Sequence, residues 1–127
     1  MQYIRDRGSL SMSAYPYAGR DQACKNNAGS VKISSVSNVR GSSVQSALSG
    51  RPIAVAVDAT NWSSYKSGAF NNCAANLNHA VLLVGIDANG VWKIKNSWGT
   101  SWGEKGYIRL AAGNTCGVTN DGAYPNA

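Results

Sequence analysis

Two side chains in this sequence have the chemistry of a proton-transferring base and of the group that orients it. His79 is the only histidine, and Asn96 ends a later run of alternating residues. An imidazole that shuttles protons needs one ring nitrogen tied down, so that the other presents a defined lone pair or proton. A side-chain amide does this by accepting the ring N–H on its carbonyl oxygen. The partner of such a base would be a thiol, and three are present: Cys24, Cys73 and Cys116. An odd number cannot all pair within one chain. Taken singly, a histidine at a strand start is more often a packed or surface residue. An asparagine before Trp-Gly is usually only a turn residue.

The elements around the pair decide between these readings. Residues 78–103 run NHAVLLVGIDANGVWKIKNSWGTSWG. The apolar stretch Ala80 to Val84 predicts a strand, Asp87-Ala88-Asn89-Gly90 a tight turn, and the alternating Val91 to Lys95 a second strand. An antiparallel hairpin of this kind brings the start of its first strand beside the end of its second. His79 and Asn96 occupy those two ends, so the hairpin would place them within hydrogen-bond reach.

A knot of Ser97, Trp98, Gly99, Trp102 and Gly103 follows, with Gly106-Tyr107 behind it. The pattern NSWGxxWGxxGY, preceded by His-Ala, resembles the papain-like cysteine proteases of the cathepsin type. Tyr15-Pro16-Tyr17 upstream of Cys24, and Tyr65, Gly68 and Phe70 in a YxxGxF segment, extend the resemblance over nearly the whole chain. It covers only about half of that family's catalytic domain, in which a helical left lobe and a β-rich right lobe face each other across the active site. The chain resembles the right lobe plus part of the connecting stretch.

The resemblance implies roles. His79 would be the catalytic base and acid, Asn96 its orienting group, Trp98 a lid over their hydrogen bond, and Trp102 part of the same aromatic wall. Cys73 and Cys116 would be disulfide-bonded, closing roughly 44 residues at a gain on the order of 4 kcal/mol. Cys24 would pair with a cysteine of the other lobe. The family's nucleophilic cysteine sits in a Cys-Gly-Ser-Cys-Trp-type motif about 130–150 residues before the histidine, which falls outside these residues. None of the three cysteines has that flanking motif, so the chain alone is expected to be inactive. Its expected partners are an N-terminal lobe or chain carrying the catalytic cysteine, and protein or peptide substrates. In the pocket that selects the substrate residue two before the cleavage point, Ala56, Leu77, Asn78 and Asp121 would form the wall and floor. Small Ala56 and apolar Leu77 would favour Leu, Phe or Val there, and the Asp121 carboxylate would also admit Arg. The alternative is a non-catalytic relative that uses the same fold as a binding or structural module.

Composition sets the remaining bounds. A chain of 127 residues with 43% hydrophobic residues is one domain with a modest core. The expected fold is mainly β, an antiparallel barrel-like right lobe of the papain type with one or two short helices. Residues 1–30 would be the connecting segment, with one helical turn at the start, and 31–127 the lobe. Within it, residues 31–39 predict a short strand. Val44, Ala47 and Leu48 predict an amphipathic helix after Gly41-Ser42-Ser43. Ile53 to Val57 reads as a strand buried on both faces, and 107–112 as another strand. No apolar run approaches a membrane span, and the N-terminus has no signal-peptide core. The net charge of +6 is scattered and predicts no nucleic-acid site. One histidine and three dispersed cysteines lack metal-ligand spacing, and no cofactor is expected. The cysteines, with the sequon Asn61-Trp62-Ser63, suggest an oxidising setting, lysosome- or vacuole-like or secreted.

Overall fold

The computed structural model describes residues 1–25 and 28–127. The chain divides into two compact units, residues 1–37 with 125–127, and residues 38–124. In the first unit, helix α1 (Gln2–Arg7) has no buried residue. Beyond it the described backbone has little regular structure: the Ala14 and Tyr15 N–H groups donate to the Ser11 carbonyl in a turn, Ser9 and Val31 form an antiparallel bridge, and Lys25 Nζ lies 5.3 Å over the Tyr15 ring. The sequence predicted an extended loop with one helical turn at the start; the helix is present at Gln2–Arg7, and a further turn at 11–15 interrupts the loop.

The remaining elements follow in order: β1 (Ser35–Val39), α2 (Ser42–Leu48), β2 (Ile53–Val57), β3 (Ala69–Phe70), β4 (His79–Ile86), β5 (Trp92–Lys95) and β6 (Tyr107–Leu110). A short three-ten turn (Thr115–Gly117) and β7 (Gly122–Asn126) complete the chain. The strands form one sheet in the order β1-β7-β2-β4-β5-β6-β3. It is open rather than a closed barrel, and its pairings around the site are antiparallel except for β3 alongside β6.

The core of the second unit lies on one face of this sheet. Ile53, Val55 and Val57 of β2, Val81 and Leu83 of β4, Trp92 and Ile94 of β5, and Ile108 and Leu110 of β6 are all buried. Helix α2 closes over them through fully buried Val44, with Ala47 and Leu48 packed at the margin. The helix starts at Gly41, whose φ of 56° favours glycine, and the Ser43 hydroxyl accepts the Arg40 N–H at 3.0 Å. Strand β2 corrects one expectation. Its other face, Ala54 and Ala56, is only half-buried, because alanine is too small to anchor a second core layer. What reads as a continuous apolar run is an alternation of large and small residues.

The hairpin of β4 and β5 is the scaffold of the site. Leu82 faces Lys95 and Leu83 faces Ile94, and then a bulge between Leu83 and Gly85 shifts the register so that Ile86 meets Trp92. Asp87 makes the turn by accepting the Asn89 and Val91 N–H groups on one carboxylate oxygen, at 2.8 and 3.0 Å. No helix among the described residues is long and apolar enough to cross a membrane, and no cluster of metal-binding side chains occurs among them.

Candidate active site

His79 opens β4, paired with Val57 at the end of β2. Asn96 follows directly after β5, and its backbone N–H donates to the Gly106 carbonyl at 3.0 Å. The two side chains meet, with His79 Nε2 at 2.9 Å from Asn96 Oδ1. The roles in that contact follow from a third group. The Ser97 backbone N–H also points at Asn96 Oδ1, at 2.8 Å, and a backbone N–H can only donate. The atom it meets is therefore the amide oxygen, which cannot donate to the ring, so Nε2 carries the proton. The neutral imidazole is fixed as the Nε2–H tautomer, leaving Nδ1 as the nitrogen available for proton transfer.

Aromatic rings enclose this pair. The Trp98 ring is stacked on the imidazole at 5.1 Å and 30°. Trp62 meets the imidazole edge-on at 6.2 Å and stacks against Trp102 at 6.2 Å. Trp98 is 41% exposed, so it covers one face of the ring while its outer side stays wet; Trp62 is fully buried. Trp102 donates its indole N–H to the Trp62 carbonyl at 3.1 Å, which locks the wall together. Asn96 Nδ2 and Trp62 Nε1 are buried with no hydrogen-bond partner among the described residues. A drier surround strengthens the His79–Asn96 bond.

The glycines of the knot are there for geometry. Lys105 and Gly106 both take positive φ, 55° and 91°, as a two-residue hairpin turn requires, and the Gly106 carbonyl then faces Asn96. At Gly103 a Cβ would lie 2.6 Å from the Tyr107 carbonyl and 3.0 Å from the Tyr65 ring, so only glycine lets the chain pass behind the aromatic wall. Glu104 braces the same corner. Its carboxylate accepts two bonds from the Arg109 guanidinium, at 2.8 and 2.9 Å, and one from the Gly68 N–H at 2.9 Å. Those contacts, led by Arg109, hold its carboxyl down at about 2. Tyr65, whose hydroxyl donates to the Gly68 carbonyl at 2.7 Å, is pushed up by burial.

The other sequence-predicted residues fall into three places. Cys73 and Cys116 are disulfide-bonded, and Cys24 is free and exposed in the first unit. Ala56, Leu77, Asn78 and Asp121 are gathered at the end of β2. The Ala56 N–H donates to the Asp121 carbonyl and the Asn78 N–H to the Val57 carbonyl, each at 3.0 Å. Leu77 lies over Gly117, where an added Cβ would come within 2.8 Å of its methyl. The Asp121 carboxylate is exposed, 3.8 Å from the Arg40 guanidinium. Sequence reasoning missed Asp58, Thr60 and Glu104, and it treated Trp62 only as the middle of a sequon.

The sequence matches the pattern of the "Papain family cysteine protease" over residues 1–126. The chain belongs to the papain family. Among curated papain-family relatives, cathepsin L 2 of Paramecium tetraurelia is 44% identical over 98% of this chain, and digestive cysteine proteinase 1 of Homarus americanus is 39% identical over 98%. The chain spans 40% and 44% of those two proteins' lengths. Among solved papain-family structures, the bromelain protease of Ananas comosus superposes with a TM-score of 0.85 at 41% identity, over 98% of this chain and 66% of that one. Digestive procathepsin L 3 of Tenebrio molitor superposes at 0.86 and 35% identity, over 99% and 46%. This is a cysteine peptidase fold of the papain type, mostly β with few short helices, as the motifs around His79 and Asn96 implied.

Proposed function

We propose that the chain supplies the base half of a papain-like cysteine endopeptidase, with the nucleophilic thiolate carried by an N-terminal lobe or second chain. The observation that supports this most is the fixed tautomer of His79, because a ring held by Nε2–H on Asn96 offers Nδ1 to a thiol. In the complete site the Cys–His pair exists as thiolate and imidazolium, the imidazolium lowering the thiol's pKa. The thiolate attacks the scissile carbonyl carbon, and collapse of the tetrahedral adduct expels the amine, which takes its proton from Nδ1 of His79. The neutral ring then removes a proton from water as that water attacks the acyl-enzyme carbonyl, and collapse of the second adduct breaks the carbon–sulfur bond, releasing the acid product and restoring the thiolate–imidazolium pair. Asn96 keeps the ring in register through both transfers, and Trp98 shields the bond from water on one side.

None of this chain's cysteines is a candidate for the thiolate. Cys73 and Cys116 are consumed in their disulfide, and Cys24 lacks the family's flanking motif. A shallow apolar depression lined by Ala54, Ala80, Leu82, Lys95, Asn96 and Ser97 offers a docking face beside the base. Ala56, Leu77, Asn78 and Asp121 form the specificity pocket in this reading. The disulfide and the digestive relatives favour a lysosome- or vacuole-like or secreted setting. The test is reconstitution with a lobe bearing a Cys-Gly-Ser-Cys-Trp motif. Peptide turnover that His79→Ala abolishes is the expected result. A folded assembly with no turnover, or turnover indifferent to His79→Ala, would overturn the proposal.

A further inference from the structure

The segment that delivers His79 to β4 has no regular structure of its own. Residues 71–78 are almost all exposed loop, entering the strand one residue before the imidazole. What fixes this loop lies beneath it. Asp58, directly after β2, is only 2% exposed, and among the described residues its carboxylate is met by hydrogen-bond donors rather than by a cation. Oδ1 accepts the Thr60 hydroxyl at 2.6 Å and the Thr60 N–H at 3.1 Å. Oδ2 accepts the Ala74 and Asn76 N–H groups, at 3.1 and 3.2 Å. The Asp58 N–H donates to the Cys116 carbonyl at 2.9 Å. A single carboxylate thus ties the end of β2, the turn at Thr60 and both halves of the loop to one point.

The chain of bonds continues to the residue before the histidine. The Thr60 hydroxyl, having given its proton to Asp58, accepts Asn78 Nδ2 at 3.0 Å, and Asn78 Oδ1 accepts the Ala59 N–H at 2.9 Å. With its backbone N–H on the Val57 carbonyl, Asn78 is held by three bonds at the position directly before His79. We infer that Asp58, acting through Thr60 and Asn78, is a positioning residue that sets the entry of His79 into β4 and so the alignment of its ring on Asn96.

The role needs an ionised acceptor. Hydrogen bonds, chiefly from the Thr60 side chain, hold the Asp58 carboxyl below the usual carboxylate range. It therefore remains an acceptor in acidic surroundings. A protonated carboxyl, or an amide with its NH2 in place of one oxygen, would turn a donor toward N–H groups that can only donate, which is the costly case for a buried polar pair. The inference rests on the reading of His79 as the base, but the geometry it concerns can be tested without turnover.

Because the chain has one histidine, a long-range proton–nitrogen NMR spectrum contains a single imidazole. In the parent chain the neutral ring should show two widely separated nitrogen signals, one protonated and one bare. Thr60→Val, isosteric but without the hydroxyl, and Asp58→Asn should draw those signals together as the tautomers mix. Thr60→Ser, which restores the hydroxyl, should recover the parent spectrum. Thr60 is exposed, so Thr60→Val carries the test if Asp58→Asn does not fold. In the assembly with the cysteine-bearing lobe, Thr60→Val should lower kcat about tenfold while moving KM less than about twofold, within the ~100-fold that a misplacement of about 1 Å can cost. Mixed tautomers in an assembly without turnover would support Asp58 while removing the peptidase proposal. A Thr60→Val ring spectrum identical to the parent's would overturn the inference, whatever the turnover.

Discussion

Replacing Glu104 by glutamine separates a charge from the shape around it. The side chain sits where the aromatic wall is braced, accepting two bonds from Arg109 and one from Gly68. Its carboxyl is held at about 2, against an ordinary value of 4.5. The sign follows from that depression: the folded state favours the ionised form, so the contribution is fully present above pH 4.5 and is lost as pH falls through about 2. Taken at face value, the displacement is worth roughly 3 kcal/mol at 1.36 kcal/mol per pH unit. The Arg109 side chain is 42% exposed and Glu104 27%, so solvent screening reduces this to about 1 kcal/mol. Glu104→Gln should therefore lower the unfolding free energy by about 1 kcal/mol at pH 6. The gap between mutant and parent should narrow as pH falls below 4.5 and be nearly closed at pH 2, where the parent's folded-state carboxyl is about half protonated. Urea unfolding at matched ionic strength, followed by tryptophan fluorescence, measures both. A difference between the two proteins that stays the same from pH 6 to pH 2 would show that the charge is not the source of the effect.

Three further outcomes follow from the site and the core. Asn96→Ala should lower kcat/KM of the reconstituted enzyme roughly 10- to 150-fold, from the ~1.5–3 kcal/mol of a hydrogen bond to a charged ring, whereas His79→Ala should abolish turnover. Asp121→Ala should leave stability within about 1 kcal/mol, since its pair with Arg40 is exposed, while lowering the kcat/KM ratio for Arg over Leu two residues before the cleavage point. An unchanged ratio removes Asp121 from the specificity pocket. Ile94→Ala, at a fully buried position between β4 and β6, should cost about 2–5 kcal/mol in urea unfolding, and a cost below about 1 kcal/mol would show that the core collapses around the gap.

The legible parts of this fold are those in which local pattern and tertiary demand agree. Pro52 and the run Ile53 to Val57 bound β2 to the residue, and the hairpin turn was marked by Asn89-Gly90 between two apolar runs. Because hairpin ends must meet, the His79–Asn96 contact was legible as well. The two-residue β3 was not, since it exists only through parallel pairing with β6 far along the chain. Strand β7 was not legible either, because its sequence contains Gly122 and Pro125, residue types that are poor strand formers. Asp58 escaped for a related reason. Its partners at Ala74 and Asn76 are 16 and 18 residues away, and no local periodicity marks them. A cue was present in Asp58-Ala59-Thr60, the spacing at which an aspartate turns back on the backbone two residues on.

The bulge between Leu83 and Gly85 also bears on how such a lobe can diversify. It divides the β4–β5 hairpin into two registers, one containing His79 and the residues nearest Asn96, the other containing the turn at 87–90. A strand without such a discontinuity would transmit any one-residue change at the turn to every side chain along it, exchanging buried and exposed faces. Here the discontinuity can absorb or relocate that change before it reaches Leu82 and Lys95. The tip of the hairpin is thereby released from the constraint on its base, and it is the natural place to graft sequence into an engineered form of this lobe.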